Sequence, residues 1–384
     1  MSAWLAPKAV AAPVIDPNCV VVAGEFSRAS GLGEGARLMH AALVRAGLAV
    51  FAVEAGLGPD EAGIGEFAGA VDLRNTPPGA PLVLHVNAPS FAPALLRLPR
   101  GAVKGRRIIG YWAWELESLP SAWKHARELL HEIWVPSKFT YDAIAPFYPG
   151  RVKIVPHPLA VNARAVCAPK ERRVEFALPP EAFVVMCSFS LASGMARKNP
   201  LAAIAAFQSA FGDDRENILV MKVAQEAHAP GDWADLLAAI GDAPNIRVIS
   251  EILSPAQNLN LIEAADVVIS LHRSEGFGLV ISEAMLAGRV AVATDYGGNT
   301  DFLTAQTGVP VGYRMIPAWD PRGVYEGDGA RWADADVAQA AAALRELAED
   351  PALRLRLGEA ARAAALEHFS SQRLLAALQA SEAA

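Results

Sequence analysis

The chain has 384 residues, of which 53% are hydrophobic and 20% charged, so it is long enough for two or three domains and too apolar for disorder over most of its length. Its net charge of −7 argues against nucleic acid as the main partner. Three widely spaced cysteines fit neither a disulfide framework nor a zinc site, and no apolar run approaches the ~20 residues of a membrane-spanning helix, so we expect a cytoplasmic protein.

The first half of the chain alternates short apolar runs with amphipathic stretches, a pattern typical of parallel strands joined by helices. A helix over 34–46 is predicted because apolar residues such as Leu38 and Ala42 recur at helical spacing up to Gly47, a typical C-cap residue. Ser137 is a predicted N-cap. The predicted strands of this half are 20–23, 49–53, 82–86, 107–111, 132–135 and 152–155.

Residues 30–35, SGLGEG, precede the first predicted helix and leave room for the close approach of a ligand. Glu54 lies where the ribose-binding acid of a dinucleotide fold would lie. The Gly-x-Gly-x-Gly spacing and its distance from the preceding strand do not fit that fingerprint. An oxidoreductase is therefore the weakest of the alternatives.

Polar and aromatic side chains follow two neighbouring strands of this half. His85 and Asn87 follow one strand, and Trp114 and Glu115 follow the next. Aromatic rings stack on sugar faces and an acid can orient a hydroxyl, so these four are candidates for binding an acceptor. For His85, a place in the core is an equally good expectation.

Five prolines and clustered charges interrupt the alternation between residues 156 and 180, which predicts a linker over 158–170. We therefore predict two α/β domains, 1–157 and 171–365, each doubly wound and Rossmann-like, that face a cleft. The tail from residue 333 is expected to be almost entirely helical, with 366–384 packing back on the first domain. The predicted strands of the second half are 183–187, 218–222, 246–249, 267–270, 290–293 and 309–311, and its helices are 200–211, 232–241, 255–264 and 279–287.

Two adjacent cations, Arg197 and Lys198, stand just before the predicted helix 200–211. Cations at a helix start oppose the helix dipole unless an anion binds there, which predicts contact with a diphosphate without a metal. A solvated surface pair is the alternative.

The most specific motif is LHRSEGFGLVISEAM, over residues 271–285. It follows a predicted strand, turns at two glycines and enters a helix, the position at which open α/β sheets bind ligands. Glu275 and Glu283 can face one ligand there, and carboxylates accept hydrogen bonds from sugar or ribose hydroxyls. A solvated Glu283 with plain turn glycines is the less favoured alternative.

Two later acidic or amide positions are expected to begin helices. Asn299 is a predicted N-cap, with a contact to a donor as an equal alternative. Asp334 and Asp336 resemble a metal-binding acid pair, but Asp is favourable at a helix start, so no metal site is predicted.

These segments resemble retaining glycosyltransferases of the GT-B fold, family 4, also called glycosyl transferases group 1. The Glu275-x7-Glu283 spacing around Gly-Phe-Gly is similar to their nucleotide-sugar signature. The resemblance extends to GLGEGARLM, YWAWELESLPSAW, EIWVPSKFT, ARKNPLAAIAAF and DYGGNTDFL. In these segments the chain looks like enzymes of bacterial polysaccharide synthesis, many of them mannosyltransferase-like. It implies transfer of a sugar from a nucleoside diphosphate sugar, GDP-mannose being the family-weighted donor, to a glycan or lipid-linked glycan, with no cofactor.

The resemblance also implies roles for individual residues. Glu283 would bind the ribose, Glu275 with the backbone of 276–279 would hold the donor sugar, and the departing phosphate would take the acceptor proton. The other implied donor contacts are Gly33, Ser190, His272, Arg273, Gly276, Phe277, Gly278, Leu279 and Asn299. The chain departs from the family where many members carry an Arg, here Ser188–Ser190, and where members carry a histidine, here Trp112–Glu115.

Two alternatives on the same scaffold stay open, a nucleotide-sugar epimerase and a non-catalytic nucleotide-sugar-binding protein. The second follows from the two departures from the family pattern.

A basic run in the first domain also predicts at most weak, salt-sensitive contact with an anionic membrane, a solvated loop being slightly favoured. Its cations are Arg97, Arg100, Lys104, Arg106 and Arg107.

Overall fold

A computed structural model of the chain describes residues 5–11, 13, 15–16, 18–56, 65–325, 327 and 329–379. These residues form two compact units. The first unit runs up to Val161 and includes the segment from Phe369, and the second unit runs from Asn162 to His368. Each unit is built around its own parallel sheet of six strands.

The first unit alternates strands and helices as its periodicity predicts. Its strands are β1 (Cys19–Gly24), β2 (Ala49–Glu54), β3 (Leu82–His85), β4 (Ile108–Tyr111), β5 (Glu132–Val135) and β6 (Val152–Ile154), and its first four helices are α1 (Gly31–Arg45), α2 (Ala88–Arg97), α3 (Arg100–Val103) and α4 (Lys138–Ile144). The sheet order is β2-β1-β3-β4-β5-β6. The strand order therefore reverses between β1 and β3, which is the topological switch point of this sheet.

Side-chain caps fix where two of these helices begin. The Ser137 hydroxyl accepts a hydrogen bond from the Thr140 amide, which confirms the predicted N-cap of α4. The Ser30 hydroxyl accepts one from the Gly33 amide at 3.0 Å, so α1 begins at Gly31 and not at 34. Residues 31–35 are thus the first turn of a helix, and the prediction of a loop was wrong there.

The second unit repeats the alternation with a longer central strand. Its parallel strands are β7 (Phe183–Ser190), β8 (Asn217–Ala224), β9 (Ile246–Ile249), β10 (Val267–Ser270), β11 (Val290–Thr294) and β12 (Val309–Val311). Its helices are α5 (Pro169–Arg173), α6 (Met195–Lys198), α7 (Pro200–Phe211), α8 (Pro230–Ile240), α9 (Pro255–Ala264), α10 (Leu279–Leu286), α11 (Val337–Glu349) and α12 (Pro351–His368). The sheet order β12-β11-β10-β7-β8-β9 puts the switch point between β10 and β7.

Both faces of the second sheet are covered by apolar side chains. Along β7, Val185 and Cys187 belong to one core cluster, and Val184 and Met186 belong to another. Successive strand residues point to opposite faces, so a continuous apolar run is what a strand between two helical layers requires.

An antiparallel hairpin follows β12. Its strands are β13 (Tyr313–Pro317) and β14 (Arg331–Ala335). The prediction that the tail is helical from residue 333 was therefore wrong for residues 333–335. Asp336 caps α11 by accepting a hydrogen bond from the Gln339 amide at 2.9 Å, whereas Asp334 lies in β14.

The C-terminal helix α13 (Gln372–Gln379) belongs to the first unit. Leu374 and Ala377 are buried in the same core cluster as Val20 and Val22 of β1. This confirms the prediction that the end of the chain returns to the first domain.

The basic run of the first unit is only partly exposed. Arg106 and Arg107 are each 2% exposed. Arg106 donates to the carbonyls of Ala80 and Ala102, and Arg107 is paired with Glu132. These two cations are buried and bonded within the fold, whereas both alternatives predicted for the basic run, weak membrane contact and a solvated loop, would need them exposed. No helix among the described residues is long and apolar enough to cross a bilayer.

Candidate functional site

The two motifs singled out in the second half of the sequence meet at the switch point of the second sheet. The loop 191–199 follows β7, and the loop 271–278 follows β10, its neighbour in the sheet. Ligands of open α/β sheets bind beyond the carboxyl ends of strands at such a point.

Glu275 is the centre of this site. It is 8% exposed and lies between two cations. Its Oε2 is 3.2 Å from Nη1 of Arg197, and its Oε1 accepts a hydrogen bond from Nζ of Lys198. Arg197 also donates to the Ser274 carbonyl at 2.9 Å. One carboxylate and two cations leave the cluster with a net positive charge at neutral pH.

The cluster shifts the ionisation of its members. Burial acts to raise the pKa of Glu275, but Lys198 and Arg197 outweigh burial and lower this pKa to about 2. His272 is completely buried, and burial, together with Lys198 and Arg197, lowers its pKa to about 4. At neutral pH the carboxylate is therefore charged and the imidazole beside it is neutral.

Arg197 and Lys198 stand just before α7, which begins at Pro200 as predicted and has Asn199 as its N-cap residue. They end the one-turn helix α6, and Asn199, with φ of 50°, links it to α7. The anion beside them is Glu275. Glu275 thus offsets part of the unfavourable charge at this helix start, and contact of the two cations with a diphosphate stays a prediction.

Glycines let two backbone turns approach each other at this site. A Cβ placed on Gly298 would lie 2.2 Å from the Gly276 carbonyl oxygen, and one on Gly297 would lie 2.6 Å from the Glu275 carbonyl oxygen. The Gly298 amide donates to that Glu275 oxygen at 2.7 Å. The turn over 297–301 thus supports the backbone that carries Glu275.

Asn299 lies inside this turn and is fully buried. It is not an N-cap, because the short 3-10 helix Gly298–Asp301 begins after Gly297. The Asn299 side chain instead donates to the Thr294 carbonyl at 2.9 Å, closing the turn from within.

The other predicted donor residues surround the cluster within the second unit. Arg273 faces β14, with Nη2 3.6 Å from Asp334 Oδ1. Ser190 donates to Gln225 Oε1, and Phe277 packs on Phe302 with ring centroids 5.3 Å apart. Gly278, with φ of 99°, precedes α10, whose first residue is Leu279 and whose second turn carries the half-buried Glu283.

The predicted acceptor residues lie in the first unit, around its own switch point. His85 ends β3, is fully buried and stacks on Tyr111 with ring centroids 4.5 Å apart. Asn87 Oδ1 accepts from the Ala113 amide at 3.0 Å. Trp114 is buried, with 3% of its surface exposed. Contact of these side chains with an acceptor stays a prediction.

Glu115, next to Trp114, is half-buried. Gly33, the one predicted donor residue of this unit, packs against backbone, since a Cβ there would lie 2.5 Å from the Glu25 carbonyl oxygen. Donor contact by Gly33 and acceptor contact by Glu115 also stay predictions.

Two residues near the cluster were missed by sequence reasoning. The Tyr325 ring lies 5.5 Å from Cζ of Arg197, and Arg322 donates to the Ala192 carbonyl. Both follow β13, in a segment without helical or strand periodicity. Only the three-dimensional structure of the hairpin shows that they lie near Arg197 and Ala192.

Comparison with known proteins agrees with this architecture. Residues 235–364, which include the motif of Glu275 and Glu283, match the sequence model of glycosyl transferases group 1. No curated protein sequence matches the chain significantly.

Solved glycosyltransferase structures share the fold. Anabaena HepE in complex with UDP-glucose superposes with a TM-score of 0.64 at 13% identity, over 95% of this chain and 99% of HepE. WaaG, a glycosyltransferase involved in lipopolysaccharide biosynthesis, superposes with a TM-score of 0.58 at 16% identity, over 94% of this chain and 99% of WaaG. A mutant of S. aureus TarM, in complex with fondaparinux, alpha-GlcNAc-glycerol and UDP, gives 0.57 at 13% identity over 79% of this chain, which spans only 56% of the TarM chain.

The fold is therefore the α/β architecture with two Rossmann-like sheets found in GT-B glycosyltransferases, as the sequence predicted. At these identities the likeness establishes the fold, and the activity must be argued from the site.

Proposed function

We propose that the chain is a retaining glycosyltransferase that moves a sugar from a nucleoside diphosphate sugar to a carbohydrate or lipid-linked glycan acceptor. The observation that carries this proposal is the cluster of Arg197, Lys198 and Glu275 at the switch point of the second sheet. Its net positive charge suits the phosphates of such a donor, and its carboxylate suits sugar hydroxyls.

Each member of the site has a role in this reaction. Arg197 and Lys198 stabilise the charge that develops on the departing diphosphate, without a metal. Glu275 and the backbone of 276–279 hold the sugar, and Glu283 binds the ribose. The departing phosphate takes the proton of the acceptor on the same face, which retains the configuration at the anomeric carbon.

The matched proteins support this reaction class and widen the range of donors. HepE and TarM were crystallised with UDP or UDP-glucose, whereas the sequence resemblance favours GDP-mannose. Both UDP and GDP are therefore candidate nucleotides for this site. The name of WaaG supports a role in bacterial surface polysaccharide synthesis.

We place the enzyme in the cytoplasm, with at most weak contact with the inner face of the membrane. Arg97, Arg100 and Lys104 are the exposed cations of the basic run. Three such charges supply about 1 kcal/mol each at an anionic surface, enough only for reversible association.

Calorimetric titration with UDP and with GDP tests the donor site. We expect one of them to bind the wild-type protein, and Lys198→Ala to weaken that binding by about 10–100-fold, because a hydrogen bond between charged groups is lost. Lys170→Ala, which removes an exposed lysine of the same unit, is the matched control and should bind normally. Equal affinity in Lys198→Ala, with normal thermal unfolding, would remove this lysine from the site.

Turnover of labelled UDP-glucose and GDP-mannose separates the reaction classes. Transfer that needs a glycan acceptor and retains the anomeric configuration supports the proposal, and Lys198→Ala should slow it by about 10²–10³-fold. Conversion of the donor sugar without an acceptor would indicate an epimerase. Tight binding without turnover over a broad acceptor panel would indicate a binding protein.

A further inference from the structure

The loop that carries Arg197 and Lys198 has little internal support. Its helix α6 has only four residues, and one helical turn is unstable by itself. Gly194 with φ of 88° and Asn199 with φ of 50° flank this turn. Contacts from other segments must therefore hold the two cations in position against Glu275.

The loop after β10 provides one set of these contacts. The Arg273 amide donates to the Arg197 carbonyl at 2.8 Å, and the Arg273 side chain donates to the Ala196 carbonyl. Asn199 donates to the Leu271 carbonyl at 2.9 Å. These bonds tie the end of α6 to the backbone next to Glu275.

The hairpin β13–β14 provides a second set, from the turn over 320–325. Arg322 Nη1 donates to the Ala192 carbonyl. A Cβ on Gly194 would lie 2.4 Å from Arg322 Nη2, so the guanidinium rests directly on the backbone at this glycine. The Tyr325 ring, 5.5 Å from Cζ of Arg197, is within range of a cation–π contact.

The turn is itself ordered by a buried carboxylate. Asp320 is 2% exposed, and its oxygens accept hydrogen bonds from the amides of Arg322 and Val324 at 3.3 and 2.9 Å. The carboxylate also lies 3.5 Å from Nε of Arg322. Contacts within its own turn therefore orient the Arg322 guanidinium toward Ala192 and Gly194.

The other strand of the hairpin contacts the second loop of the site. The Ala333 amide donates to the Arg273 carbonyl at 2.9 Å, and Asp334 is paired with the Arg273 side chain. One element thus touches both loops that bring the cations and the carboxylate together.

We infer that the β13–β14 hairpin sets the position of Arg197 and Lys198 relative to Glu275, with Arg322 and Tyr325 as its positioning residues. Arg322 acts through the backbone of Ala192 and Gly194, and Tyr325 acts through the Arg197 guanidinium. The consequence for donor binding rests on the proposed function, whereas the positioning of residues 191–199 by the hairpin does not.

Hydrogen exchange tests the hold on the loop without any substrate. In Arg322→Ala, the amides of residues 191–199 should exchange at least about 10-fold faster, while those of β8 and β9 stay unchanged and report an intact sheet. Arg331→Ala is the matched control, because Arg331 is an exposed arginine of the same hairpin that donates a hydrogen bond to the Met315 carbonyl within the hairpin itself. Unchanged exchange over 191–199 in Arg322→Ala would overturn the inference.

Titration with UDP and GDP tests the consequence for the site. We expect Arg322→Ala and Tyr325→Leu to bind about 10-fold more weakly than wild type, Tyr325→Phe to bind normally because it keeps the ring, and Arg331→Ala to bind normally. If wild type binds neither nucleotide, the proposed function fails. The exchange experiment alone then decides whether the hairpin fixes the position of residues 191–199. If wild type binds and Arg322→Ala binds equally well, the positioning role is overturned even where exchange has accelerated.

Discussion

At the scale of single residues, the site depends on how closely two backbone turns approach. Gly298 and Gly276 lie so close that no side chain fits between them. The Gly298 amide also donates to the Glu275 carbonyl, so the turn over 297–301 fixes the backbone that presents the Glu275 carboxylate to its two cations. A small change of volume here should act on both stability and the site.

Replacing Gly298 with Ala tests this dependence. The added Cβ would meet the Gly276 carbonyl oxygen at 2.2 Å, and since that atom belongs to backbone, one of the two turns must move. We expect the free energy of unfolding to fall by about 1–3 kcal/mol in urea denaturation.

Gly231→Ala is the control for this substitution. Gly231 lies in the first turn of α8, and a Cβ there meets nothing within 4 Å. Alanine should leave stability unchanged or raise it by about 0.4–1 kcal/mol. Equal stability of Gly298→Ala and wild type would show that the turns are not in close contact.

At the scale of elements, a helix with one apolar face is held in place by packing that face against a sheet. The short C-terminal helix α13 shows this clearly, since Leu374 and Ala377 join the core of the first unit, although they come last in the chain. Arg107 reinforces this position by donating to the Leu378 carbonyl at 3.1 Å. A helix of eight residues is unstable by itself, so its burial must supply the stability.

Leu374→Ala measures this contribution. Leu374 is 1% exposed, and removal of a buried leucine side chain costs about 2–5 kcal/mol through lost burial and the cavity left behind. Hydrogen exchange should accelerate in β1 and β3 of the first unit. Arg373→Ala, its exposed neighbour, should change stability by less than about 0.5 kcal/mol. Exchange in β1 that stays at the wild-type rate in Leu374→Ala would show that α13 is not part of this core.

At the scale of the whole molecule, each unit buries neutral histidine at its switch point. In the first unit, burial lowers the pKa of His157 to about 3 and that of His85 well below the ordinary value. In the second unit, burial lowers the pKa of His272 to about 4. Both units should therefore respond to acid in the same direction.

We expect stability to fall steadily as the pH drops below about 6.5. Unfolded histidine takes up a proton near that pH, whereas the buried rings resist protonation until pH 3–4, so acid favours the unfolded chain by about 1.4 kcal/mol for each histidine and pH unit. Glu275 adds to the loss below about pH 4.5, because its pKa is lowered to about 2.

Calorimetric midpoints between pH 8 and pH 4 measure this dependence. The exposed His228 provides the control, since His228→Gln should keep the same slope. Midpoints that do not change between pH 7 and pH 4.5 would contradict the burial of neutral histidine in both units.

The sequence by itself determined the elements and the most specific motif. Apolar runs and helical spacing predicted β5, β9, β10, α7 and α9 to the residue, because periodicity and caps depend on neighbours along the chain. The position of Glu275 and Glu283 after a strand also followed from local order, and with it the fold class.

The tertiary structure decided what depends on residues far apart in sequence. Lys198 and Glu275 are 77 positions apart, so only the pairing of β7 with β10 shows that the two cations face a carboxylate. The same holds for the β13–β14 hairpin, whose register no local pattern encodes, and for Arg106 and Arg107, whose charges are used inside the fold. A charge in a sequence has no partner until the strand order places one beside it, and the partner then sets its ionisation and its chemistry.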